Sequence, residues 1–266
     1  MNSATLNDPM IRLNKYLASC GKGSRRSCDD LISAGHVLVN GIKVTGMGTK
    51  IDPDRDTVTI QGHGGVIEPI RHHEYWAYYK PRGLMVTADD PQGRPTIYDA
   101  IQKQLGRPVN HFKYCGRLDL HSEGLLVLTS DGDLVYALTH PRFQIKKVYH
   151  VCINKTLAEP DRKRMVEDGI ESEDVVLHAA SITPLRQGVR RFGTDGRLLL
   201  EEFWYEVVLF EGKKRQIRRM FSALSYDVAR LKRVQFSSVT LDDLDCGALR
   251  RLTEKEVASL KNSRHR

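Results

Sequence analysis

Asn40-Gly41, set between the apolar runs Val37-Leu38-Val39 and Ile42-Lys43-Val44, leaves the chain little choice where it stands. A two-residue type I′ turn needs positive φ at both central positions, and Asn-Gly adopts it at least cost. The two runs are therefore predicted to pair as a tight antiparallel hairpin. Two helices are predicted ahead of it. Ile11, Leu13 and Leu17 fall at helical spacing with Gly21 as a stop. Ser24 is placed to cap a second helix through Cys28, Leu31 and Ile32, closed by Gly35. Asp56–Ile60 alternates like a further strand. Residues 10–62 thus read as a small α+β unit, and 63–73, which opens on His63-Gly64-Gly65, as a linker.

The remainder, 74–266, is strand-rich. Trp76–Tyr79 and Leu84–Val86 are predicted strands on either side of a Lys80-Pro81-Arg82-Gly83 turn, and Leu125–Leu128 is a short buried strand. Tyr149–Ile153 and Phe203–Leu209 alternate as half-buried strands. Arg215–Ser225 reads as a helix, with another from about Glu254. No βαβ rhythm repeats, so the fold class is α+β: a small domain followed by a domain built on a mixed, mainly antiparallel sheet. A length of 266 residues with 40% apolar content suits two unequal domains.

The formal net charge is +8, and its placement is uneven. Residues 11–45 hold a net +4, from Arg12, Lys15, Lys22, Arg25, Arg26 and Lys43 against Asp29 and Asp30; residues 211–219 hold another +4. Two such clusters favour a polyanionic partner. No stretch approaches the roughly 18 apolar residues of a membrane span, and Met1–Pro9 lacks a secretory signal's basic start and apolar run. The five cysteines form no CxxC or CxxH pair and are odd in number, so a reducing cytoplasm is expected and a disulfide framework is not. Signatures for nucleotide phosphates, zinc peptidases and serine hydrolases are absent. The histidines are scattered, and no metal site is expected.

Gly116-Arg117-Leu118-Asp119, running into Ser122-Glu123-Gly124-Leu125-Leu126, can do chemistry. Spacing alone supports two readings: a surface Arg–Asp pair closing a turn, or a carboxylate held beside a basic wall as base or nucleophile toward nucleic acid. Cys115 next to it reads as a small buried residue. These residues resemble the catalytic motif of the RNA pseudouridine synthases, in which the aspartate is invariant. Three further segments resemble that family's motifs in its order: Lys80-Pro81-Arg82-Gly83 with Asp89–Thr96 after it, Lys147-Val148-Tyr149, and Glu211–Met220. Residues 11–61 resemble the S4 RNA-binding domain, with Arg25-Arg26 in the expected place. The resemblance spans about residues 11–252. It departs in one detail, Ser122 standing where threonine is often found.

The resemblance implies an enzyme that isomerises a single uridine in bacterial ribosomal RNA to pseudouridine, with wording nearer the large-subunit (23S) enzymes. It implies Asp119 as catalytic carboxylate, attacking C1′ or removing a C2′ proton, Arg218 as its charge partner, and Tyr149 stacking on the uracil. Arg117, Lys147, Ile217, Lys80, Lys213, Arg215 and Arg219 are implied around the RNA, with Lys214 beside them. Arg12, Lys15, Lys22, Arg25 and Arg26 would grip it from the first domain. No cofactor is needed for an isomerisation without a redox step. The partner would be ribosomal RNA or an assembly intermediate, met by a monomer in the cytoplasm. A non-catalytic RNA-binding protein and a nucleic-acid glycosylase are the competing classes. The first has no use for Asp119, Tyr149 and Arg218 together, and the second normally needs a second acid.

Overall fold

The computed structural model describes residues 10–192 and 198–263. They form two compact units. One takes the described residues up to Glu74 with Pro108–Lys113 and Ser130–Gly132; the other takes Tyr75–Arg107, Tyr114–Thr129 and the described residues from Asp133 onward.

The first unit runs β1 (Ile11–Arg12), α1 (Leu13–Ser19), α2 (Arg25–Ser33), β2 (Val37–Val39), β3 (Ile42–Val44), β4 (Lys50–Ile51) and β5 (Val58–Ile60). The predicted hairpin forms: Val39 faces Ile42, and Asn40 and Gly41 have φ of 52° and 79°. β5 adds to the other edge of β2, and β1 pairs with β4. Ser24 caps α2, its hydroxyl accepting from the Ser27 amide at 3.1 Å. Leu13, Leu17, Cys28, Ile32, Val37, Ile51 and Val58 fill the core. Burying an aliphatic side chain of this size is worth about 1.5–3 kcal/mol. The stretch expected to be a linker is instead packed onto this unit. Ile67 is buried in the same core, its amide donates to Val58 O at 2.9 Å, and its carbonyl accepts from the Tyr16 hydroxyl at 2.7 Å. The glycine-rich run before it hides how firmly one apolar residue can anchor a segment.

The rest of the chain supplies β6 (Tyr75–Lys80), α3 (Ile97–Leu105), β7 (Lys113–Tyr114), β8 (Glu123–Thr129), α4 (Gly132–Thr139), β9 (Lys147–Ile153), α5 (Glu159–Lys163), β10 (Ile170–Ser172), β11 (Val175–Leu177), β12 (Ser181–Phe192), β13 (Leu198–Leu209), α6 (Gln216–Ala223), β14 (Val228–Phe236), β15 (Val239–Thr240), β16 (Leu249–Arg251) and α7 (Glu254–Asn262). A single sheet runs β12-β13-β9-β14-β8-β6-β16, with β7 on β8 and β15 on β14. Pairings along this path are antiparallel except β14 with β8. Every residue of β8 is buried, as expected of an interior strand covered on both faces. Ala77, Leu125, Val127 and Phe236 are fully buried in a core on the sheet.

Two predicted elements come out differently. After Lys80 the chain does not return as a strand over Leu84–Val86. The Gly83 amide is taken by Leu120 O at 2.8 Å, and Met85 makes only an isolated bridge to Thr96. The helix expected from Arg215 begins at Gln216, because Arg215 is left-handed (φ 51°) at its N-cap.

The parallel β14–β8 pairing sets Arg233 opposite Gly124, whose φ is +106°. A Cβ on Gly124 would lie 2.7 Å from the Arg233 amide nitrogen and closer still to its carbonyl oxygen. Gly124→Ala is therefore expected to cost roughly 2–3 kcal/mol. A urea titration checks this; a midpoint equal to wild type would contradict it.

Candidate active site

The loop between β7 and β8 delivers Asp119, half-buried, next to an interior strand of the sheet. Lys80, the last residue of β6, fixes its course. Lys80 is fully buried, and its ammonium donates to the main-chain carbonyls of Pro81 (2.9 Å), Asp119 (3.2 Å), Leu120 (3.5 Å) and Ser122 (2.8 Å). Carbonyl dipoles stand in for the water a buried ammonium has lost. Burial pushes the pKa of Lys80 down to about 8, against the pull of Asp119 and Glu123. The expectation that Lys80 contacts RNA is corrected: its charge is spent under the loop and cannot reach a phosphate.

Arg218 approaches the same loop from α6. Its guanidinium donates to Val228 O at 2.8 Å and His121 O at 3.2 Å, and its Nε is buried without a partner among the described residues. Burial, then the like charges of Arg215 and Arg82, lower its pKa, while Asp119 opposes them. Asp119 and Arg218 thus feel each other's charge without a direct hydrogen bond. The Asp119 carboxylate has no hydrogen-bond or ion-pair partner among the described residues; the loop is held entirely through its main chain. Arg117 is exposed and equally unpartnered, so the surface Arg–Asp pair does not form.

Tyr149 lies on β9, 8% exposed, its hydroxyl without a protein partner among the described residues. It stands opposite Arg233 on β14, Arg233 opposite Gly124 on β8, and Gly124 opposite Lys80 on β6. These four residues form one row across adjacent strands, about 14 Å wide at strand spacing. Lys147, at the start of β9, donates to Ile145 O at 2.8 Å; burial and then the charge of Arg233 push its pKa down to about 8, against Glu211. Ile217 is buried in α6.

The basic segment divides. Lys214 and Arg215 are exposed and unpaired through their side chains among the described residues. Lys213 pairs with Glu211 at 3.0 Å and donates to Val176 O at 2.9 Å. Arg219 is tied to Ser172 on β10 and lies 3.5 Å from Glu173. These two hold neighbouring structure. In the first unit Arg12, Arg25 and Arg26 are exposed without side-chain partners among the described residues, Lys15 is half-buried, and Lys22 meets the His63 ring at 2.8 Å. Arg25 and Arg26 occupy the first turn of α2, where the helix dipole disfavours cations, so helix stability does not explain them.

Sequence reasoning passed over Arg233. It is 1% exposed, its Nε donates to Leu125 O at 2.7 Å, and one terminal nitrogen, Nη2, is buried without a partner among the described residues. The available signal was an arginine two residues after Leu231 in an alternating strand, at a position due to face inward. Glu123 was also missed; it is buried and takes Arg230 through two bonds of 2.9 and 3.0 Å. Cys115 is fully buried. Among the described residues no group of three or more His, Cys, Asp or Glu side chains could hold a metal ion, and no helix is long and apolar enough to cross a membrane.

Residues 74–223 match the RNA pseudouridylate synthase family model, and residues 11–55 match the S4 domain. An uncharacterized RNA pseudouridine synthase of Rickettsia conorii is 36% identical over 249 residues, 92% of this chain and 98% of that protein. Proteins named ribosomal large subunit pseudouridine synthase B, from Pseudomonas aeruginosa and Vibrio cholerae, are 34% and 35% identical. Those matches cover 92% and 94% of this chain, and 60% and 74% of the relatives. A crystal structure of a pseudouridylate synthase superposes with a TM-score of 0.62 at 26% identity, over 94% of this chain and 99% of that one. The chain belongs to the RNA pseudouridine synthase family of isomerases, with an S4 domain ahead of the synthase domain.

Proposed function

We propose that this protein converts one uridine of large-subunit (23S) ribosomal RNA to pseudouridine, with Asp119 as the catalytic carboxylate. One observation carries the reading. Lys80 and Arg218, from distant parts of the sequence, both bond the main chain around Asp119, feel its charge, and leave its carboxylate without a hydrogen-bond or ion-pair partner among the described residues. A purely structural aspartate would use that carboxylate on a neighbour. The likeness to proteins named for the large ribosomal subunit supports the choice of RNA.

The target uridine must first leave its stack, at a cost of a few kcal/mol. Tyr149 then stacks on the uracil, Ile217 packs beneath it, and Arg117, Lys147, Lys214 and Arg215 meet the backbone around it. The N1–C1′ bond breaks as Asp119 either attacks C1′ or removes a C2′ proton. The uracil turns and C5 bonds to C1′; the C5 hydrogen leaves to solvent and N1 takes a proton. The uracil is recaptured and not hydrolysed, so one carboxylate suffices where glycosidases normally use two. No electron is gained or lost, so no redox cofactor is required.

Residues 10–62 act as a docking domain on ribosomal RNA or an assembly particle, and the chain works as a cytoplasmic monomer. Arg25→Ala/Arg26→Ala is expected to weaken RNA binding and to flatten the log–log salt dependence by about 0.7–0.9 for each phosphate the two arginines neutralise. Unchanged affinity and slope would give that unit another role. The proposal as a whole is tested by mapping pseudouridines in a strain lacking the gene. One large-subunit position reverting to uridine is expected; an unaltered map would overturn it.

A further inference from the structure

A second cleft lies in the synthase unit, between the short turn Pro141–Phe143, the entry to β9, the exit of β13 and α7. It has a volume of about 890 Å³, within the range of small-molecule sites, and contains neither Asp119, Tyr149 nor Arg218. Arg142, Lys146 and Lys255 line it together with Phe143 and Phe210, and no carboxylate does. None of these three cations has an ion-pair partner among the described residues. Several other cations of the unit do, among them Arg94 with Asp90, Arg162 with Glu159 and Arg250 with Glu256; Arg117, Lys214 and Arg215, around the Asp119 site, do not. Lys255 stands in the first turn of α7, against the helix dipole, so helix stability does not account for it. Phe210 is 46% exposed, an unusual cost for a lone aromatic, and the Arg142 guanidinium lies 4.4 Å from the Phe143 ring centre.

Unpaired cations interleaved with accessible aromatic faces are the composition that single-stranded nucleic acid requires: cations track the phosphates while bases stack on rings. Lys146 stands just ahead of β9, the strand that carries Tyr149, at most about 10 Å from it along the chain. Residues an odd number apart face opposite ways, so an RNA reaching both rounds the end of that strand. A strand whose uridine stands at Tyr149 can carry its neighbours that far. We infer that this cleft binds a flanking nucleotide of the RNA substrate, its phosphates on Arg142, Lys146 and Lys255 and its base on the exposed ring of Phe210. The inference rests on the RNA-modifying function proposed above and adds a second foothold for the same RNA.

The test uses the full chain and a fluorescein-labelled single-stranded oligouridylate, with anisotropy followed from low to moderate salt. Lys146→Ala/Lys255→Ala changes only exposed side chains, so the fold is retained. It is expected to lower affinity about tenfold and to reduce the log–log salt slope by about 1.4, at about 0.7 per cation on a single strand. Phe210→Ala, at a ring outside the core, is expected to lower affinity about tenfold with the slope unchanged. Irradiating a 4-thiouridine oligonucleotide on wild type should label the peptide holding Phe210. Wild-type affinity and slope in the double variant, or an acidic peptide competing as well as RNA, would overturn the inference. Tritium release from ribosomal RNA separates the two readings. A wild type that binds through the cleft but never releases tritium refutes the enzyme. A wild type that turns over, with variants that bind and turn over equally, refutes only the cleft.

Discussion

Asp119→Asn is expected to lower tritium release from 5-tritiated uridine in ribosomal RNA by at least about a thousandfold, the scale of a lost acid–base or nucleophilic group. RNA affinity should stay within about twofold of wild type, as for a change that disturbs no bond of the fold. The reason lies in how the loop is built. Lys80 and Ser122 bond the Asp119 carbonyl, and Arg218 bonds the carbonyl of His121, so an isosteric side-chain amide disturbs none of the bonds that hold the loop. What it removes is a negative charge that no described protein group takes up in a hydrogen bond or ion pair, though Lys80 and Arg218 feel it. Turnover comparable to wild type would refute Asp119 as the catalytic carboxylate.

The second large effect is expected at Lys80, although it touches no substrate. Lys80→Met keeps the length of the side chain and removes the donor that four carbonyls share. Leaving buried acceptors unpaired should cost on the order of 3 kcal/mol. Release of the Asp119 loop should lower kcat, while RNA affinity holds because the ammonium never reaches the surface. A loss of affinity with kcat intact would restore direct contact with RNA. The pKa adds an independent check. Lys80 titrates near 8 when folded and near 10.5 when unfolded. Between those values the unfolded chain holds the extra proton, so the stability contribution of Lys80 rises with pH across that window. The stability advantage of wild type over Lys80→Met should therefore widen from pH 8 to pH 10.5 in paired denaturant titrations. A gap that narrows would contradict the burial of a charged lysine.

What the sequence made legible followed from local chemistry. Asn40-Gly41 required its turn whatever lay elsewhere, and Ser24 capped α2 because the Ser27 amide is within one turn of its hydroxyl. Asp119, Tyr149 and Arg218 were singled out through the order of motifs, and the fold brings Arg218 onto the loop that carries Asp119. Pairings distant in the sequence were not legible. Lys80 looked like a surface cation beside a turn until Asp119 and Ser122, some forty residues on, closed over it. Arg233 belongs to no short motif; alternation after Leu231 hinted that it faces inward, but its place opposite Gly124 on a parallel neighbour shows only in the assembled sheet. Lys213 and Arg219 were grouped with their basic neighbours by charge, although Glu211 and Ser172 hold them in place.

The most direct test of the central claim is tritium release by purified wild-type protein from 5-tritiated uridine in 23S ribosomal RNA and large-subunit assembly intermediates. Release that levels off at one tritium per RNA molecule, with no added cofactor, is the result expected of an enzyme that isomerises a single uridine. No release from any of these RNAs, under conditions where the protein binds them, would contradict it.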